Sequence, residues 1–169
     1  MLTIPLTDLA LVLRKANDMS LEERPVPKPG PGEVLVAIKA TGICGSDIHF
    51  WTHGCIADLV VKEPMILGHE SAGEVVALGS GVNTHQIGDH VAIEPGVPCR
   101  SCGLCKEGKY NICSDVRFAA TPPIDGTLRY YYAHPADFCH IVPKNLSFDE
   151  AAMAEPLSVA IHANNRGGD

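Results

Sequence analysis

Residues 73–94 read GEVVALGSGVNTHQIGDHVAIE. Two short runs, 73–78 (GEVVAL) and 88–94 (GDHVAIE), are rich in Val, Ile and Ala. The stretch between them, GSGVNTHQIGD, carries Gly, Asn and Asp, the residues that turn a chain. Runs this short, bounded by turn residues, read as strands rather than helices. The same pattern extends outward. Residues 34–40 (VLVAIKA) form an apolar run between Gly32 and Gly42, which suits a buried strand. Residues 19–27 (MSLEERPVP) alternate like an edge strand and run into a turn containing Pro27, Pro29, Gly30, Pro31 and Gly32. Residues 137–142 (DFCHIV) read as a further strand. The expected fold is mostly β with a few helices, its strands closing into a β-barrel-type core.

Composition agrees. The chain has 169 residues, the size of one domain, with 46% hydrophobic and 20% charged residues, enough to bury a core. Gly (16) and Pro (13) together supply many turns. A formal charge of -7 argues against nucleic acid or an anionic membrane as partner. No apolar stretch is long enough for a membrane span. Residues 1–20 lack a basic leader, so a reducing cytoplasmic setting is expected, with thiols free for metal. The Asn145-Leu146-Ser147 sequon then reads as a helix entry rather than a glycosylation site.

Helices are expected only near the end. Ser147 precedes FDEAAMAE with Glu150 three residues on, the spacing of a capping box. Pro156 suits the first turn of a second helix, PLSVAIHAN, because its missing N–H would be unpaired there. Glu155 is thereby held at a helix boundary, where a side chain can be aimed. The closing NNRGGD reads as a linker.

The chemistry lies in two donor sets. Cys99, Cys102, Cys105 and Cys113 stand in CRSCGLCKEGKYNIC. Three cysteines spaced by two, amid Gly, Lys and Arg, make a poor core face. They suit a closed, tetrahedral, all-thiolate zinc site fixing a lobe at about 95–115 that has little core of its own. Four thiolates around one Zn²⁺ would add about two negative charges to the total. The second set is Cys44, in TGICGSD, with His69 and Glu70 in GHE. Singly, a cysteine between glycines is a small buried hydrophobe and a histidine is a satisfied polar residue. Together, a thiolate, an imidazole and a carboxylate neutralise Zn²⁺ and leave an open position, where catalysis would occur.

These residues resemble the zinc-dependent medium-chain dehydrogenase/reductase superfamily. GHESAGEVVALGSGV (68–82) is similar to its zinc signature. Cys44-Gly45-Ser46-Asp47, the four-cysteine lobe, GDHVAIEPG (88–96) and EPLSVAIHA (155–163) follow in the family's order. AATPPIDGTLRYYY (119–132) resembles the polyol branch, that of sorbitol and xylitol dehydrogenases. The resemblance runs from about residue 9 to residue 163. It implies a GroES-like catalytic domain over 1–169, with Cys44, His69 and Glu70 as catalytic zinc ligands. It further implies that Glu155 lies beside the zinc as alternate ligand or proton acceptor, and that Ser46 and His49 contact the substrate hydroxyl and relay its proton. Phe50, Phe118 and Thr121 would wall the substrate pocket. The implied reaction is oxidation of a secondary hydroxyl of a small polyol to a ketose, with hydride passing to NAD⁺.

A nicotinamide enzyme needs a dinucleotide site. Gly30-x-Gly32 and Gly79-x-Gly81 are the only partial matches to G-x-G-x-x-G, and each lacks its third glycine. The reading therefore expects a catalytic lobe that stops before the family's Rossmann domain, binds one catalytic and one structural zinc, does not hold NAD alone, and turns over little or not at all. It also expects homo-oligomers or association through exposed strand edges. Two other readings stay open: a zinc-binding module without catalysis, and the lobe of a zinc alcohol dehydrogenase for simple alcohols.

Overall fold

A computed structural model describes residues 3–168. The strands are β1 (Thr7–Lys15), β2 (Asp18–Pro25), β3 (Glu33–Gly42), β4 (Cys55–Ile56), β5 (Leu59–Val60), β6 (Met65–Ile66), β7 (Glu70–Leu78), β8 (His90–Ile93), β9 (Gly96–Val97), β10 (Arg117–Phe118), β11 (Tyr131–Pro135) and β12 (Cys139–Ile141). The α-helices are α1 (Gly45–His53), α2 (Gly103–Lys106), α3 (Phe148–Ala152) and α4 (Ala154–Gly167). The architecture is mostly β, as the sequence implies.

A five-stranded antiparallel sheet, ordered β11-β3-β7-β8-β12, forms the body. A three-stranded sheet, β2-β1-β6, stands beside it. The main core gathers Val34, Val36, Val75, Val91 and Ile93 with Ala136 and Cys139. Val36 and Val75 face each other across β3 and β7. A second cluster of Leu13, Phe50, Met65, Leu67 and Ala120 ties α1 to β1 and β6. Ala151 and Ala152 of α3 pack on Ala72 of β7. A buried ion pair locks the sheets together. Arg129 donates to both carboxylate oxygens of Asp8, at 3.2 and 2.7 Å, and to the carbonyl of Pro25.

The structure departs from the sequence reading at several places. β1, α1 and β11 were not anticipated. In β1, Asp8, Ala10 and Val12 are buried, yet exposed Leu9 and part-buried Leu11 occupy the opposite face, so the two-residue alternation is masked. Residues 137–142 do not form one strand: a 3₁₀ turn over Ala136–Phe138 precedes β12. The closing segment is no linker through Gly167, since α4 continues to that residue. The capping box is present as expected. The Glu150 N–H donates to the Ser147 hydroxyl, and the Ser147 N–H donates to the Glu150 carboxylate at 2.8 Å.

Candidate metal centres

The first centre forms where three elements meet. Cys44 is the extended N-cap residue of α1. Glu70 opens β7 and sits across from Gly42 at the end of β3. His69 precedes it and is 7% exposed. Donor atoms of Cys44, His69 and Glu70 all lie within 4.8 Å of one another. Ligands bonded at about 2.0–2.3 Å to a shared tetrahedral ion fall inside that separation.

Two glycines make this possible. A Cβ on Gly42 would lie 2.2 Å from Oε2 of Glu70, so only glycine leaves room for the carboxylate. Gly68 has φ +87°, and a Cβ there would lie 2.6 Å from Leu128. Asp47 then joins the two loops. Its carboxylate accepts from the Cys44 N–H at 3.0 Å and from the Gly68 N–H at 2.9 Å. It is 3% exposed, and its Oδ1 stands 3.9 Å from Nδ1 of His69. Asp47 thus fixes both ligand-bearing loops and sets a negative charge behind the imidazole. The sequence reading missed this role. The signal was present: an acid three residues after a helix-capping position is the capping-box spacing.

The other anticipated residues occupy varied positions. Glu155, second in α4, is half-buried. Burial raises its carboxyl pKa; nearby His69 opposes that shift and nearby Glu70 adds to it. Glu155 therefore shares the electrostatic environment of both ligands. Ser46 is half-buried in the first turn of α1. His49 is exposed on the same helix. Phe118 is half-buried and meets the His69 ring edge-on at 5.5 Å. Thr121 is half-buried, its N–H bonded to the Phe118 carbonyl. Phe50 is 3% exposed and packs in the α1–β1–β6 core.

The second centre is the cysteine lobe. Sulfur separations are 3.4 Å (Cys102–Cys105), 3.8 Å (Cys102–Cys113) and 3.9 Å (Cys99–Cys105). Four sulfurs about 2.3 Å from a tetrahedral Zn²⁺ would stand about 3.8 Å apart. The donor set fits that ion and no disulfide. Backbone N–H groups support the sulfurs: Cys102 donates to Sγ of Cys99, Cys105 to Sγ of Cys102, and Cys99 to Sγ of Cys113. Donors from Ser101, then Cys102, hold the Cys99 thiol down to about 6. The lobe docks through Arg100, which makes a bidentate pair with Asp137 and lies 5.2 Å over the Phe138 ring. Tyr110 meets the other side of the contact, edge-on to Phe138 at 6.1 Å.

Two adjoining clefts of about 370 and 380 Å³ lie elsewhere, sharing Leu9, Ile38, Lys39 and Tyr130. Neither is lined by any of the seven donor residues, so the chemistry is not read from these clefts.

Residues 30–144 match the alcohol dehydrogenase GroES-like domain. The chain belongs to that family. Its sequence falls with the polyol dehydrogenases of the medium-chain superfamily. It is 54% identical over 156 residues to a probable D-xylulose reductase A of Emericella nidulans, covering 92% of this chain and 44% of that protein. It is 52% identical over 161 residues to sorbitol dehydrogenase of Gallus gallus, covering 95% of this chain and 45% of that protein. The GroES-like domain also superposes on L-idonate 5-dehydrogenase of Escherichia coli with a TM-score of 0.89 at 34% identity, over 96% of this chain and 47% of that one. The chain spans less than half the length of these curated relatives. Among the described residues, no helix is long and apolar enough to cross a membrane.

Proposed function

We propose that these residues are the zinc-binding catalytic lobe of an NAD-linked polyol dehydrogenase that oxidises a secondary hydroxyl of a xylitol- or sorbitol-like substrate to a ketose. The observation that carries this reading is the convergence of Cys44, His69 and Glu70 from three elements onto one point, in a sequence close to polyol enzymes.

Cys44, His69 and Glu70 would hold the catalytic zinc, and the four-cysteine lobe a structural one. Zinc in the open site supplies Lewis acidity, which makes a substrate hydroxyl easier to deprotonate. Asp47 keeps the ligand loops in register. The released proton leaves through Ser46, with His49 relaying it, or through the partly desolvated Glu155 as acceptor. Phe118 and Thr121 shape the wall over His69, with Phe50 supporting α1 from behind. The hydride acceptor is a nicotinamide, and none of the 169 residues forms the glycine fingerprint that would cradle one. Turnover therefore belongs to this lobe joined with a dinucleotide-binding domain, in the same polypeptide or in a partner. Thiols kept free to hold metal would suit a reducing, cytoplasmic setting. Exposed strand edges and apolar helix surface favour self-association.

Elemental analysis and an activity assay test the reading together. Residues 1–169 should carry two zinc ions, and Cys44→Ser should retain only the lobe's ion. With xylitol or sorbitol and NAD⁺, the isolated lobe should form no NADH. Robust NADH formation would overturn the inactivity, and a metal-free folded chain that ignores added zinc would overturn the metal assignment. A folded lobe with the lobe zinc alone would favour the second reading, a zinc-binding module without catalysis. The missing fingerprint is the observation behind that second reading.

A further inference from the structure

Helix α1 ends in two imidazoles that neither metal centre uses. His49 and His53 are four residues apart, so they project from one face a turn apart. Both are exposed, and their rings stack with centroids 4.4 Å apart and planes 25° apart. Thr52 contacts the His53 ring. Its hydroxyl lies 2.8 Å from the Ile48 carbonyl and 2.7 Å from Nδ1 of His53. A hydroxyl has one hydrogen to donate. With that hydrogen given to the Ile48 carbonyl, the network assigns Thr52 Oγ1 as acceptor from His53 and the ring hydrogen to Nδ1. Nε2 of the exposed His53 ring has no hydrogen-bond partner among the described residues. Ligating histidines are held in this way, with one ring N–H tied to an acceptor and the other nitrogen free for a metal.

We propose that His49 and His53 form a third metal site, a two-imidazole chelate for a late first-row divalent cation such as Ni²⁺ or Cu²⁺, with water completing the coordination. Imidazole donors favour these ions, and affinity rises along the series toward copper. The chain's net charge of -7 draws cations to the surface. The site shares no ligand with Cys44, His69 and Glu70, or with the cysteine lobe. A bound ion would clamp the last turn of α1, the helix whose N-cap is Cys44. It would also occupy His49, taking that ring out of proton relay.

The test uses the zinc-loaded chain and Ni²⁺ as the probe. Calorimetry should find one Ni²⁺ per chain beyond the zinc, and the first histidine NMR signals to broaden should be those of His49 and His53. His53→Gln removes one ligand and should weaken Ni²⁺ binding about tenfold or more. Thr52→Val keeps both imidazoles, removes only the acceptor, and should weaken binding about tenfold. Zinc content should be equal in all three proteins. The proposal fails if Ni²⁺ does not bind, if either variant binds as tightly as the parent, or if Ni²⁺ enters by displacing zinc.

Discussion

At the scale of single residues, the donors of the first centre are placed by neighbours outside the donor set. Gly42 is the clearest case, because the Glu70 carboxylate occupies the space a Cβ would need. Gly42→Ala should displace Glu70 and empty the first centre while leaving the cysteine lobe loaded, so zinc content should fall from two ions to one with the β-sheet spectrum unchanged. Asp47 acts through two charge-assisted hydrogen bonds in a buried setting. Asp47→Ala strands both N–H donors and should cost about 2–4 kcal/mol in denaturant unfolding. The same change should weaken zinc at Cys44 and His69 about tenfold or more, read by competition with a chromogenic chelator.

At the scale of elements, α3 determines how α4 reaches the site. Ser147 caps α3, whose Ala151 and Ala152 seat it on β7. Glu155 follows within the first turn of α4. Ser147→Ala should destabilise the domain by about 1 kcal/mol in a denaturant titration. The cap also carries a pH signature. Hydrogen bonds from the Ser147 hydroxyl and N–H hold the Glu150 carboxyl below its ordinary 4.5. A lowered carboxylate stabilises the fold above its unfolded value, and that contribution disappears as pH falls through the folded value. Thermal melts of the parent protein and Glu150→Gln should therefore differ near neutrality and converge once the pH falls below the lowered Glu150 value.

At the scale of the whole molecule, the cysteine lobe is clipped to the segment between β11 and β12 of the five-stranded sheet. Arg100, Asp137, Phe138 and Tyr110 form the clip, while the lobe's α2 buries no residue of its own. Removing zinc with a chelator should expose the amides of residues 99–113 to hydrogen exchange and leave β3, β7 and β8 protected. Apolar surface is also unpaired: Leu157, Val159 and Ile161 of α4 are 57%, 58% and 53% exposed. Light scattering should show concentration-dependent association of the isolated lobe, and a monodisperse monomer across the range would contradict it.

The sequence alone determined the β-rich class, the two helices near its end with the cap of the first, and both donor sets. Most of this rests on local information: turn residues between short apolar runs, cap spacing, and sulfurs a few positions apart that suit one ion; Cys44, His69 and Glu70 are joined by donor chemistry and the family resemblance. It did not disclose β1, whose apolar residues on both faces hide the alternation, or α1, whose N-cap is a cysteine rather than a usual capping residue. Only the tertiary structure decided that Gly42 makes room for Glu70, that Asp47 binds two loops, that Phe50 belongs to the core, and that Arg100 clips the lobe to Asp137. Each of those contacts joins residues far apart in the chain. Spacing cannot report such a contact until strand register and packing have brought the partners together.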